Sequence, residues 1–215
     1  MNYQIILIGG AGHGRVITDI ARERGYDVLG FLDDDESHRN IGNFQRLGPI
    51  ADWEVVLEKH REARFVFGFA DNAVRQEIVA KYPDIPVATL VHPRTFIARN
   101  VKIGQGTVVM AGSVVNDGCK IGSHCVLNTG SLLDHDSVMD CYSSMGPGSV
   151  AGGHVTIGEQ SFIGIGASII HGISIGKGSL LAAGATLVRN LADQVVAMGV
   201  PAKVTRSREI GERYL

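Results

Sequence analysis

The chain predicts two architectures in tandem. An α/β, Rossmann-like domain is expected over residues 1–92. A left-handed parallel β-helix built from a hexapeptide repeat is expected over residues 93–200, with a C-terminal tail over 201–215. Three observations predict this. Short apolar stretches alternate with amphipathic ones in the first part. A glycine-rich turn follows the first apolar stretch and opens a helix. From Val101 onward a six-residue pattern holds one phase through fifteen hexads without an insertion.

In chain order, "YQIILI" is a short apolar strand. No basic segment precedes it and glycines end it, so it reads as a buried strand and not as a signal peptide. "GGAGHGRVITDIARERG" is a tight turn and an amphipathic helix that ends near Gly25, and "YDVLGFLDDD" is a second strand closing on three acids. "ADWEVVLEKH" and "NAVRQEIVAKYP" read as helices, "ARFVFGFA" and "PVATLVH" as strands. Strands alternating with short helices predict a small parallel sheet with crossover helices.

Beyond that the period changes. Written in sixes from Val101, the chain reads VKIGQG, TVVMAG, SVVNDG and so on to ATLVRN. The third place runs Ile103, Val109, Val115, Ile121, Leu127, Leu133 and onward to Leu187, and all fifteen are apolar. The first place is always Val, Thr, Ser, Cys, Ala or Ile. Such a repeat is the mark of a parallel β-helix. One hexad makes one strand and one corner of a triangular coil. The third residue fills the interior, the small first residue fits by the corner, and Gly or Asn relieves the turn. Three hexads complete a coil.

Bulk properties narrow the function. A net charge of −2 gives no support for nucleic acid or an anionic membrane surface as a partner. No apolar run approaches the ~20 residues of a transmembrane helix. Cys119, Cys125 and Cys141 have no zinc-ligand or CxxC spacing, and an odd count argues against a disulfide framework. A reducing compartment fits, so a cytoplasmic location is expected.

The combination "GGAGHG", "FLDD", a hexapeptide helix carrying "LNTGSLLDHD" and a closing "GVPAK" resembles bacterial nucleotide-sugar acetyltransferases, over almost the whole chain. These enzymes acetylate the 4-amino group of UDP- or GDP-linked 4-amino-4,6-dideoxy sugars of the perosamine and bacillosamine type. Sialic-acid O-acetyltransferases share the layout and stand as the alternative. The resemblance implies acetyl-CoA as co-substrate, a homotrimer with active sites between subunits, and no metal cofactor.

Acetyl transfer from a thioester to an amine needs a base for the amine's proton, a donor for the oxyanion, and in-line positioning. His135 lies between Asp134 and Asp136 and suits the base role. An adjacent carboxylate fixes the ring's tautomer. Sequence geometry does not choose between the two acids; the resemblance favours Asp136. Gly153 follows His135 by eighteen residues, one coil, so it stacks above it at about 4.8 Å. Its amide is the candidate oxyanion donor. The resemblance places Asn128 near the acceptor sugar. Relatives often carry a second histidine nine residues after the base; here that place is Ser144, which cannot act as a base.

For acetyl-CoA the candidate contacts are Gly153, Ile165, Gly166, Ala183, Lys203 and Arg206. For the nucleotide-sugar they are Gly10, Gly12, His13 and Gly14, whose amides and helix N-terminus suit a diphosphate, with Asp33, Asp34, Asn72 and Arg75 around base or ribose. The glycine spacing departs from the dinucleotide fingerprint, so NAD is not expected. A zinc enzyme on the same coil needs three converging histidines. His135 and His171 lie two coils apart, about 9.6 Å, too far for one ion.

Overall fold

The structure, a computed structural model, describes residues 3–212. The apolar run of β1 (Gln4–Ile8) is covered on both faces and occupies the interior of a five-stranded sheet. It pairs in parallel with β2 (Asp27–Leu32) on one side and β5 (Arg64–Phe67) on the other. β2 continues in parallel to β4 (Phe44–Gly48), and β3 (Asn40–Ile41) closes the edge antiparallel. The β3–β4 hairpin is an addition to the elements expected from sequence. Its strands are short, and the turn between them begins at Gly42, with φ 57°.

α1 (Gly12–Glu23) packs Ile17, Ile20 and Ala21 on one face of the sheet. That layer also holds Val108, Met110 and Val126 of the coil, so the two domains share an apolar core. α2 (Trp53–Lys59) covers the other face around Trp53, Phe65 and Phe67. α3 (Asn72–Lys81) starts on Asp71, whose side chain accepts from the amides of Ala73 and Val74 as an N-cap.

The coil consists of two-residue strands every six residues, from β6 (Leu90–Val91) to β22 (Thr186–Leu187). Its first strand lies just N-terminal of the boundary expected near residue 93. Each strand pairs in parallel with the strand eighteen residues on, as Leu133 with Ala151, which gives three sheets. The docking sheet (Val108, Val126, Ser144) meets the N-terminal domain. The open sheet runs through Phe96, Val114, Leu132 and Val150. The third sheet runs through Lys102, Lys120 and Val138.

Third-place residues from Val109 to Leu187 form one buried column, each Val, Ile, Leu or Met side chain in it contributing roughly 1.5–3 kcal/mol through burial. The first-place serines are buried as well, and their hydroxyls find partners. Ser113, Ser137 and Ser161 donate to the corner carbonyls of Asn128, Gly152 and Gly176, fifteen residues ahead. Cys119 and Cys125 occupy the same slots and direct their thiols to the carbonyls of Asp134 and Asp140. Burial pushes the Cys125 thiol up to about 11, so it is an inert structural group.

The chain leaves the last coil as β23 (Val195–Gly199), turns at Val200–Pro201, and returns as antiparallel β24 (Ala202–Ser207), extending the docking sheet.

Candidate active site

Residues 134–136 form the corner between β13 (Leu132–Leu133) of the open sheet and β14 (Val138–Met139) of the third sheet. At this corner Gly118 and Gly172 have φ of 76° and 71°. The two coils between them put Asp136 and His154 in the same place, both with φ 56°. The left-handed region costs a residue with a Cβ roughly 1–2 kcal/mol, and Asp and His are among those found there. Strain of this kind gathers at functional sites.

His135 Nδ1 is 3.0 Å from Asp136 Oδ2. Asp134 turns elsewhere: its Oδ1 accepts from Asn116 Nδ2 at 2.6 Å and from the His135 amide at 2.8 Å. The Asn116 bond, and then the His135 amide, hold the Asp134 carboxyl below the usual range. The ring therefore reaches Asp136 and not Asp134. The hydrogen bond to Asp136 raises the His135 pKa above its ordinary value. With Nδ1–H donating to the carboxylate, Nε2 carries the lone pair. Nε2 faces Gly153, where a Cβ would stand 2.5 Å from it. The Gly153 carbonyl accepts from Gly172, while its N–H has no protein acceptor among the described residues. A ring nitrogen with its lone pair free and a glycine whose amide has no protein acceptor among the described residues thus lie in adjacent coils.

Sequence reading passed over a third side chain here. The His154 ring is 5.1 Å from the His135 ring in an edge-on arrangement, and its Nε2 is 3.9 Å from Asp136 Oδ2. The available signal was its spacing of one coil plus one residue from His135.

Asn128 follows β12 (Val126–Leu127) at the corner between docking and open sheets, and its side chain accepts from the Thr129 amide. Ile165, Gly166 and Ala183 lie at that corner too, in the coils beyond; Ile165 is 60% exposed. The open sheet separates this corner from His135 within one chain. Lys203 and Arg206 project from β24, and Arg206 is ion-paired with Glu212.

In the N-terminal domain, Gly12, His13 and Gly14 form the first turn of α1, whose N-cap Ala11 offers no capping side chain. The amide of Gly10 donates to Asp33 Oδ2 at 2.6 Å. A Cβ at Gly10 would strike the Phe31 ring at 2.4 Å, so packing alone demands glycine there. His13 is largely enclosed and its Nε2 has no hydrogen-bond partner among the described residues. Burial, then the neighbouring Arg75 charge, lower its pKa to about 4, so it is neutral. Asp33 is buried and braces the loops, accepting from Gly10, from the Asp35 amide and from His38 Nδ1. Asp33 and Asp34 border a cavity of about 330 Å³ with Phe69, Lys81 and Tyr82.

Two of the residues expected at the nucleotide-sugar are buried. Asn72 and Arg75, expected at the nucleotide-sugar, are 2% and 1% exposed and join the domains instead. Arg75 donates to the carbonyls of His124, Phe69 and Ala70, to Asn72 Oδ1 and to Ser144 Oγ. Asn72 Nδ2 donates to the carbonyls of Gln160 and Ser161. Ser144 belongs to this junction on the docking sheet, away from the corner that holds His135, and its hydroxyl donates to Asn72.

The halves of the chain match separate families. Residues 4–82 match the PglD N-terminal domain, and residues 90–135 and 154–189 match the bacterial transferase hexapeptide (six repeats) family. A crystal structure of a point variant of perosamine N-acetyltransferase from Caulobacter crescentus, in complex with CoA and GDP-perosamine, superposes with a TM-score of 0.90 at 32% identity. The match covers 95% of this chain and 97% of that one. The chain belongs to the hexapeptide-repeat N-acetyltransferases with a PglD-type N-terminal domain. A further family member, the acetyltransferase domain of PglB from Neisseria gonorrhoeae FA1090 in complex with acetyl coenzyme A, superposes with a TM-score of 0.88 at 29% identity, over 95% of this chain and 100% of that one. UDP-N-acetylbacillosamine N-acetyltransferase of Bacillus subtilis (strain 168) is 31% identical over 113 residues, 50% of this chain and 51% of that protein. The aligned segment spans about half the length of that curated relative. The family likeness accounts for the left-handed coil, and the N-terminal sheet belongs to the PglD-type domain.

Proposed function

We propose that this chain is an acetyl-CoA-dependent N-acetyltransferase acting on the 4-amino group of a nucleotide-linked 4-amino-4,6-dideoxy sugar, UDP- or GDP-linked. The observation that carries the reading is the His135 corner: Nδ1 is held by Asp136, and Nε2 lies against Gly153, whose amide has no protein acceptor among the described residues. The amine attacks the thioester carbonyl carbon and forms the C–N bond. His135 Nε2 takes the proton the nitrogen sheds. The Gly153 N–H donates to the oxyanion of the tetrahedral intermediate. The C–S bond then breaks, and the imidazolium returns the proton to the departing thiolate. Asp136 stabilises the imidazolium meanwhile.

The substrate class is supported by the relatives' ligands, CoA with GDP-perosamine and acetyl coenzyme A. The uncapped first turn of α1 suits a diphosphate, and the cavity beside Asp34, Phe69 and Tyr82 suits a nucleobase. Asp34 is the freer of the two acids at that cavity, because Asp33 is committed to the loops.

A homotrimer with sites between subunits is supported by where the expected residues lie. Asn128, Ile165, Gly166 and Ala183 sit at one corner of the open sheet, His135 and Gly153 at the other. The outward column of that sheet is Phe96, Val114, Leu132 and Val150, with Phe96 59% and Val150 39% exposed. Packing open sheets around a threefold axis buries this column and brings one subunit's His135 corner to its neighbour's acetyl-CoA corner. Among the described residues no helix is long and apolar enough to cross a membrane, and we place the enzyme in the cytoplasm, where acetyl-CoA and nucleotide-sugars are made.

The test is acetyl-CoA turnover, followed by thiol release, with UDP- and GDP-4-amino-4,6-dideoxy sugars and with sialic acid. Turnover on a 4-amino sugar supports the proposal. Turnover confined to sialic acid replaces it with O-acetyl transfer.

A further inference from the structure

We infer that His135, Asp136 and His154 form a zinc site, and that zinc bound there shuts off proton acceptance by His135. One nitrogen or oxygen from each of the three lies within 4.8 Å of the others. Asp136 Oδ2 is central, 3.0 Å from His135 Nδ1 and 3.9 Å from His154 Nε2. Ligands at 2.0–2.2 Å around a tetrahedral zinc stand roughly 3.3 Å apart. The first pair already meets that spacing, the second needs a contraction of about half an ångström, and the widest separation in the group, within 4.8 Å, needs up to about 1.5 Å, all within reach of rotations of exposed side chains.

The backbone supports a built constellation and not a chance meeting. Asp136 and His154 stand one above the other in adjacent coils, both in the left-handed corner conformation that glycine adopts at Gly118 and Gly172. Both bear that strain, and both point their donors at the same space. The rings meet edge-on at 5.1 Å, which leaves a ring nitrogen of each free to turn inward. All three residues are exposed in the single chain, so an ion enters by the opening that admits the substrates, and the fourth position stays open to water.

Two imidazoles and a carboxylate suit Zn²⁺, Ni²⁺ or Cu²⁺ and not Mg²⁺ or Ca²⁺. Inhibition is the chemical consequence. An ion on Nε2 occupies the lone pair that would take the proton. An ion on Nδ1 displaces the Asp136 hydrogen bond that fixes the tautomer. Either way the base is lost, and removing the ion restores it. Binding stands on the geometry alone; inhibition rests on the N-acetyltransferase reading above.

The experiment has two arms on the full chain. In the first, Zn²⁺ alone is titrated against a chromophoric chelator for the wild type, His154→Asn and His135→Asn, with melting curves to show that each variant is folded. One ion per chain, bound at least tenfold more tightly by the wild type than by either variant, and no binding of Mg²⁺, is the expected result. Equal zinc affinity in all three overturns the site. In the second, acetyl transfer is measured with rising Zn²⁺, each protein relative to its own zinc-free rate. The wild type is expected to lose transfer and recover it with EDTA, and His154→Asn to need at least tenfold more zinc. Saturating zinc with undiminished transfer overturns the inhibitory role. A wild type with no transfer at all refutes the enzyme reading while the first arm still decides the zinc site.

Discussion

Replacing Gly153 by alanine adds one carbon in the most crowded place beside the proposed base. That carbon would lie 2.5 Å from His135 Nε2 and 2.6 Å from Cε1. Ordinary contacts are about 3.5–4.0 Å, so the ring must retreat by about 1 Å. The 3.0 Å bond from Nδ1 to Asp136 then stretches beyond hydrogen-bond range. Gly153 does not have a left-handed φ, so alanine brings no backbone strain. The His135 side chain is 52% exposed and swings outward at little cost. The variant keeps the Gly153 N–H, so any loss reports the displaced base and not a missing oxyanion donor. A misplacement of 1 Å costs roughly 100-fold in rate, so kcat is expected to fall by about that factor. Folding is expected to change by less than about 1 kcal/mol, a Tm shift of roughly 2–4 °C at most. Thiol release from acetyl-CoA and a melting curve measure both. Activity within about threefold of wild type would refute the placement of Nε2 against Gly153, because steric displacement of that size cannot be silent.

Three further outcomes are expected. Asp136→Asn removes the carboxylate whose hydrogen bond raises the His135 pKa. The base acts when neutral, so activity rises with pH through that pKa; the variant's acid limb moves to lower pH and its plateau falls by about 100-fold, read from a kcat/KM pH profile. Arg75→Met leaves the buried carbonyls of His124, Phe69 and Ala70 without the guanidinium donor, costing about 3–5 kcal/mol and lowering Tm by roughly 10 °C, and a melting point unchanged within error would contradict the clamp. His13 and His124 are each held down to about 4 by burial first and Arg75 second. Unfolded histidines titrate near 6.5, so the unfolded chain binds more protons between these values, and stability is expected to fall as pH drops from 6.5 toward 4. Thermal melts at pH 7 and pH 5 test the sign.

The coil was legible because its rule is local and strict. A single six-residue phase set the inward column, the small corner residues and the eighteen-residue stacking that puts Gly153 over His135. The glycine-rich turn was legible for a related reason: Gly10 has no room for a Cβ against Phe31. What escaped was non-local or a near miss in register. Asn72 and Arg75 follow "FAD" closely and read as ligand contacts, yet their partners His124, Ser144, Gln160 and Ser161 lie 49 to 89 residues away, across a domain junction. No local pattern encodes that junction. His154 was missed because a search at whole-coil spacing from His135 lands on Gly153. The corner's left-handed turn brings the next residue round to the same carboxylate. The β3–β4 hairpin was missed because β3 has only two residues and β4, FQRLG, has no fully buried position to set an apolar pattern.

The proposed chemistry turns on His135 acting as the base of acetyl transfer to a nucleotide-linked 4-amino sugar. The most direct measurement is thiol release from acetyl-CoA with UDP- and GDP-4-amino-4,6-dideoxy sugars, for the wild type and for a folded His135→Ala. Turnover on one of these sugars and a loss of at least about 100-fold in the variant are expected. Equal activity in the two proteins would contradict that chemistry and make His135 an ordinary corner residue.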